Sequence, residues 1–410
     1  MSASGGDQAC ANASEREIAS WLTCSMTAFE RPFPENKLLL QPQRVKLSRP
    51  TNIPLRPSQP LRLQYVNLLA KISLKTQLTE TDEGCVAKSV SASSVLQGES
   101  GGIDRANVAI LMCTYNGSSF LREQLDSFSR QTLRNWTLYV SDDSSTDATR
   151  SILDDYRRRW GEDRVVVFDG PCQGFGKNFI SLLKRPEVQA RYYAFSDQDD
   201  IWFDDKLERS VDRLASLPGQ SPTLYCSRTR LIDAKGNPTG FSPLFSRPLS
   251  FQNALVQSIA GANTMLINQA ARRVLLSVPE NATVVAHDWL TYILVTACGG
   301  RAFYDSGATL DYRQHGGNLI GANAGFKDRV VRIRKMLSGR FVEWNDANLE
   351  ILRALSPLLT QEARTILEHF ETGRNLGLRG RLRELHRAGI YRQTHGANIS
   401  LILAACLGRV

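Results

Sequence analysis

At 410 residues the chain is too long for one small core and has room for about two domains plus tails. Its composition, 42% hydrophobic and 22% charged, has no extreme that would mark a fibrous, low-complexity or disulfide-scaffold protein. The net charge is +9, and from Phe326 to Val410 there are 15 Lys and Arg against 8 Asp and Glu, so most of the excess lies in the last fifth. Such a basic tail suits anionic lipid, nucleic acid or an acidic partner. No helix-turn-helix, zinc-finger or RNP-type pattern accompanies it, so no nucleic-acid partner is expected.

No run of about 18 apolar residues is present, so nothing in the sequence is expected to span a bilayer. The first residues, MSASGGDQACANASEREI, lack a basic flank followed by an apolar run, so the chain reads as cytoplasmic. Its eight cysteines form no CxxC pair, and several sit in apolar runs such as AILMC. That pattern predicts reduced thiols, with neither a disulfide framework nor a structural zinc site.

Three zones follow in chain order. Residues 1–105 are rich in Ser, Gly and Pro without steady periodicity and read as a poorly ordered extension. Within it, Arg16 to Phe29 and Leu61 to Ile72 are candidate amphipathic helices. From 106 to 325, short apolar runs (VAILMC, TLYVS, VVVF, YYAFS) alternate with helical patterns (FLREQLDSFSR, DATRSILDDYRRR, KNFISLLK, WFDDKLERSVDRLASL). This alternation predicts βαβ units around a mostly parallel sheet flanked by helices, an α/β fold. From 326 to 410 the chain is basic and helical, with FKDRVVRIRKMLSGRF first and further helices around 348–355, 362–370 and 380–385.

In such sheets ligands bind at the carboxyl ends of the strands, where the unusual residues here fall. The first strand ends in CTYNG, Cys113 to Gly117, either an ordinary turn or one that offers backbone N–H groups to a ligand. The second ends in SDDSSTDAT. Asp142 and Asp143 stand at the sheet edge, where a carboxylate accepts from a base or ribose, and Asp147 is a candidate helix cap. The fourth ends in FSDQDDIW, where Asp197, Asp199 and Asp200 repel one another unless a cation joins them. The competing reading is a helix N-terminus capped by Asp200. Further on, HDWL places Asp288 at the start of an apolar helix, as a general base or as a cap. In DYRQHGGNLIGA, His315 is a third metal ligand, a diphosphate contact or a surface histidine.

Taken in order, CTYNG, SDDSST, GFGKNF, SDQDDIW, HDW and YRQHGGNLIGA resemble glycosyltransferase family 2, and within it the bacterial rhamnosyltransferase-like members. The resemblance spans about 107–325 and implies a GT-A-type, Rossmann-like fold. It implies that Thr114, Tyr115 and Asp143 line a nucleobase pocket with Asn116 nearby, and that Gly174, Lys177 and Asn178 face a nucleotide-sugar. Asp197 and Asp199 match the DxD pair, which binds ribose and a Mg²⁺ or Mn²⁺ bridging the diphosphate. Asp288 matches the catalytic base, with His287 in place of a Glu common among relatives. His315 matches a position that joins the metal or phosphate shell in some of them.

The resemblance further implies a single inverting displacement from a nucleoside-diphosphate sugar, with dTDP-L-rhamnose preferred and UDP-hexoses as the alternative. The implied acceptor is a saccharide, free or lipid-linked, in cell-surface polysaccharide. For the basic segment FKDRVVRIRKMLSGR two readings stand level: a peripheral contact with the inner membrane face, and a solvated helix packed on the catalytic domain. A non-catalytic nucleotide-sugar-binding regulator on the same fold is the other class of answer.

Overall fold

Val108 to Met112 are all fully buried, as in a strand covered on both faces. This strand, β1 (Val108–Thr114), lies between and parallel to β2 (Trp136–Asp142) and β4 (Tyr192–Ser196), while β3 (Val165–Asp169) continues the parallel set beyond β2. Successive β1 side chains point to opposite faces. Ala109 and Leu111 enter one core with Phe179, Tyr193 and Phe195; Val108, Ile110 and Met112 enter another with Leu121, Leu125 and Phe128. The spacing of Leu121, Leu125 and Phe128 makes one apolar face of α1 (Leu121–Arg130), which covers that second core together with α2 (Thr149–Trp160). On the other face lies α3 (Phe175–Lys184), and α4 (Lys206–Ala215) returns to the second core.

The computed structural model describes residues 107–217, 219–315 and 340–410. The chain divides into two units, 1–99 and 100–410, and every described residue belongs to the second. The expectations for residues 1–105, for the Gly-rich end of YRQHGGNLIGA and for FKDRVVRIRKMLSG lie outside the described residues.

The nine strands run in the order β3-β2-β1-β4-β8-β6-β9-β5, with β7 paired to β6. Parallel pairing holds through the first four, as the βαβ alternation predicts. Beyond β4 the sheet is mixed. β8 (Leu266–Asn268) runs antiparallel to both β4 and β6 (Thr223–Ile232), and β5 (Ile201–Trp202) runs antiparallel to the long β9 (Arg301–Arg313). β9 is parallel to β6. β6 leads into an antiparallel hairpin with β7 (Pro238–Phe241) through Gly236, at φ 86°.

Next come α5 (Phe251–Ala254), α6 (Gln269–Leu276) and α7 (His287–Ala297) on the first core. After β9 the described chain is helical: α8 (Arg340–Ala354), α9 (Gln361–Asn375), α10 (Leu378–Ala388) and α11 (His395–Cys406). Thr360 and Thr394 cap α9 and α11 by accepting from Ala363 N and Ala397 N at 3.1 and 3.3 Å. These helices bury Leu349, Leu352, Phe370, Leu385 and Leu401 in the same core as α3 and α7. Among the described residues no helix is long and apolar enough to cross a membrane.

Candidate active site

Three non-glycine residues with positive φ mark one edge of the sheet: Asn116 (47°), Ser144 (62°) and Cys172 (54°). Each lies two or three residues past the end of β1, β2 or β3. The left-handed region disfavours side chains, and such geometry clusters where loops serve a ligand. The turns are bound to one another. Asn116 N donates to Ser145 Oγ at 2.9 Å, Thr146 N donates back to Asn116 Oδ1 at 2.8 Å, and Gly117 N donates to Thr149 Oγ1 at 2.8 Å.

Two neighbouring aspartates divide their work. Asp142 is buried and accepts from Thr114 Oγ1 (2.7 Å), Ser145 Oγ (2.6 Å) and Arg150 Nε (2.7 Å). Burial alone would raise its pKa, but the bonds from Ser145, Thr114 and Arg150 outweigh that and hold it below the usual value. Asp142 is therefore a structural hub. Asp143 is half-buried, and its Oδ1 accepts from Cys172 N at 3.0 Å. Asp147 accepts from Ser118 N and Thr149 N at 3.0 and 2.9 Å; the cap position of α2 is Ala148, one residue later than the sequence pattern placed it.

The remaining donor-side candidates separate by exposure. Tyr115 is 62% exposed, and Lys177 is half-buried with no ion pair among the described residues. Gly174 caps α3 at φ 85°. Thr114 and Asn178 are both 1% exposed, so their side chains lie beneath the turns and not at the surface. The Thr114 hydroxyl is committed to Asp142, and Asn178 Nδ2 donates to Ser141 O at 3.3 Å. Both sit beneath the turns and brace them.

After β4, the Asp trio is not a helix start. Ile201 and Trp202 pair with β9, and α4 begins at Lys206 with Asp205 at its cap position, so Asp200 is no cap. Asp200 is fully buried, accepting from Asn263 Nδ2 (2.6 Å) and Arg313 N (3.3 Å). Burial, then Asp199 and Asp197, push its carboxyl well up. Burial, then the charges of Asp199 and Asp288, raise Asp197 to about 7. Asp199 Oδ2 lies 2.8 Å from His315 Nε2, and His315 packs on Phe120 with ring centroids 4.9 Å apart.

Sequence reasoning passed over the residues that hold this turn. Gln198 bonds both backbone groups of Tyr115 at 3.0 Å, joining the β4 turn to the β1 turn. Its position between two aspartates was the available signal. Arg313, 1% exposed, donates to Asp199 O (3.0 Å), Ala234 O (3.2 Å) and Glu123 Oε2 (2.7 Å). Gly170 is close-packed, since a Cβ there would overlap Asp143 Oδ1.

On the other flank, Asp288 lies in the first turn of α7, whose cap position is Ala286, so the cap reading is set aside. Its Oδ1 accepts from Trp289 N at 2.7 Å. Burial raises Asp288 to about 6 against hydrogen bonds from Trp289 N and Ser258 that lower it. His287 is buried and stacked on Phe179 at 3.9 Å, with Phe195 and Phe175 edge-on. Neither ring nitrogen has a hydrogen-bond partner, and burial lowers its pKa to about 3, so the ring is neutral. It supplies shape beneath Asp288, not charge.

Asp197, Asp199 and Asp288 thus gather at one edge with His315 beside them. Among the described residues no three His, Cys, Asp or Glu side chains form a ready-made ligand cage. The donors do fit a hard divalent ion that keeps substrate oxygens as its other ligands: carboxylates that repel one another, and an imidazole nitrogen 2.8 Å from one of them. A cavity of about 570 Å³ lies elsewhere, lined by Arg209, Arg213, Tyr225 and Asp305. β9 is bulged, and Asp305 and Arg313 pair with Ser227 and Ile232 of β6, five residues or roughly 17 Å apart. That cavity is therefore separate from the carboxylate cluster.

An α/β sheet with helices on both faces and carboxylates at its carboxyl edge places a candidate ligand site at that edge. The Glycosyl transferase family 2 model matches residues 109–248. The chain is 30% identical over 234 residues to the dTDP-rhamnosyl transferase RfbG of Shigella flexneri, covering 54% of this chain and 78% of that protein. It is 28% identical over 163 residues to the putative teichuronic acid biosynthesis glycosyltransferase TuaG of Bacillus subtilis, covering 40% and 62%. A crystal structure of S. aureus TarS 1-349 with UDP-GlcNAc matches at a TM-score of 0.42 and 16% identity, over 70% of this chain and 93% of that one. The chain belongs to glycosyltransferase family 2 and is a glycosyltransferase.

Proposed function

We propose that the chain transfers L-rhamnose from dTDP-L-rhamnose, with inversion, to a saccharide or lipid-linked saccharide acceptor in cell-surface polysaccharide synthesis. The observation that carries the reaction type is the placement of Asp197 between two other carboxylates, near enough for the charges of Asp199 and Asp288 to act on it. The name of the 30%-identical relative supports the donor. In this reading residues 106–325 are the catalytic domain. The reaction takes place in the cytoplasm, with a peripheral contact on the inner membrane face through the basic C-terminal region.

Asp288 takes the proton from the acceptor hydroxyl. That oxygen bonds to the anomeric carbon from one side while the bond to the diphosphate breaks on the other, and dTDP leaves with the electron pair. A raised pKa suits a base that must hold a proton once the hydroxyl releases it. Tyr115 and Asp143 contact the nucleobase, Asn116 and Gly174 shape the turns around it, and Lys177 meets a phosphate. A Mg²⁺ or Mn²⁺ would be held by Asp197, Asp199 and His315, with Asp197 also at the ribose, and would neutralise charge on the leaving diphosphate. Thr114 and Asn178 act from beneath, by bracing.

Calorimetry with dTDP and with UDP, with and without Mn²⁺, tests this on the wild type and on Asp199→Ala. Metal-dependent binding of dTDP over UDP, lost in the variant, is expected. Tighter UDP binding would replace the donor. A folded protein that binds neither nucleotide would remove the transferase reading and leave a regulator.

A further inference from the structure

α11 is apolar from Leu401 onward, yet covered on one side only. Its sequence HGANISLILAAC carries no Asp, Glu, Lys or Arg. Leu401, Ala404 and Ala405 are buried in the core, whereas Ile399, Leu403 and Leu407 are 57%, 55% and 61% exposed. Spaced four apart, these three form one stripe about 12 Å long on the outer face. A helical stretch without a polar face belongs in a protein core or in lipid. Leu376, 37% exposed, extends the apolar surface at the end where Arg381 donates to both Leu376 O and Ala405 O.

The exposed charge near the stripe is mainly positive: Arg379, Arg383, Arg387 and Arg409 are exposed, Arg392 is turned inward onto Val256 O, and the acid Asp346 is paired with Arg374, which also reaches Val410 O. Leu376–Val410 holds six arginines and a single acid, Glu384. Glu384 is 5% exposed and occupied by His369, Arg383 and Arg387, so it offers no negative charge at the surface. Arg409, next but one after Leu407, is exposed. We propose that the α11 stripe with its arginine rim docks on an anionic lipid surface, Ile399, Leu403 and Leu407 entering the headgroup boundary while the arginines meet lipid phosphates. A second copy of the chain would set one arginine rim against another. The segment 326–340, with six Lys and Arg and one Asp, is likewise mismatched. Charge complementarity thus favours lipid over either. This deepens the peripheral-membrane part of the proposed function and rests on it. Lipid and nucleotide binding are measured separately, so either reading can fail alone.

The test is co-sedimentation of the full chain with phosphatidylcholine vesicles, with and without phosphatidylglycerol. Three proteins are compared: wild type, Ile399→Asn with Leu403→Asn, and Arg409→Glu. Wild type is expected to bind only the anionic vesicles. The double variant should lose about tenfold or more, and Arg409→Glu several-fold, with nucleotide binding unchanged in both. Binding unchanged by both variants, or absent in wild type, would overturn the proposal. So would a concentration-dependent dimer in sedimentation velocity that the double variant abolishes, since the stripe would then be covered by a second copy. Should the double variant fail to bind nucleotide, Arg409→Glu alone decides.

Discussion

In the proposed reaction Asp288 acts as a base only with its proton off, and the burial that raises its pKa also keeps that proton on at low pH. Its pKa of about 6 places the change within an assayable range. With donor saturating, kcat should rise as pH increases through about 6 and level off above, since the ionised form is the active one. Asp288→Asn should lower kcat by about 10²–10⁴-fold and remove that limb of the profile. A profile flat from pH 5 to pH 8, measured with chemistry rate-limiting, would take the base role from Asp288. The neighbouring ring contributes nothing to this limb, because His287 titrates only near 3. At this scale the sequence was informative about identity and poor about exposure. That an aspartate opens an apolar helix is visible in HDWL. That Thr114 is turned inward onto Asp142, or that Asp200 is buried against Arg313 N, depends on partners 28 and 113 residues away.

The turns after β1, β2 and β3 operate as one braced unit, and Gly170 is where its tolerance is smallest. A side chain there meets Asp143 Oδ1 and comes within 3.2 Å of Asn178 Nδ2. In Gly170→Ala the Asp143 carboxylate has to swing off Cys172 N, while β3 and α3 stay in place because neither contact is to backbone. Nucleotide affinity should therefore fall about tenfold, with a stability loss of only about 1 kcal/mol, one hydrogen bond's worth. Calorimetry and urea unfolding read the two effects separately; equal affinity in wild type and variant would mean that Asp143 does not touch the base. The parallel half of the sheet was legible because strands alternate with helices up to Ala215. The mixed half was not. β5 and β8 are two and three residues long and make their pairs with strands distant in sequence. Such pairing leaves little periodicity to read.

Across the molecule, the C-terminal helices belong to the core that supports the site and are not an appendage to it. Trp289, beside Asp288, stacks on Phe341 of α8 at 6.1 Å and donates to Ala254 O at 2.7 Å. The Phe251–Ile259 stretch, which carries Ser258 toward Asp288, is held from the far side. Asn253 Nδ2 donates to Tyr391 O at 2.9 Å, Arg392 Nε to Val256 O at 3.0 Å, and Gln393 N to Gln257 Oε1 at 2.8 Å. Sequence periodicity placed three of these helices, around 348–355, 362–370 and 380–385, but not α11 and not their place in the core, because that depends on which apolar faces meet. Phe370 on α9 is 1% exposed and lies in this shared core, far along the chain from any site residue. Phe370→Ala should cost about 3–5 kcal/mol, the range for removing a buried aromatic ring. If the helices and the sheet form one cooperative unit, that loss lowers a single unfolding transition, and tryptophan fluorescence and far-ultraviolet circular dichroism shift together. Two separated transitions, with the sheet's unchanged, would instead make the C-terminal helices an independent domain and remove their part in holding the wall around Asp288.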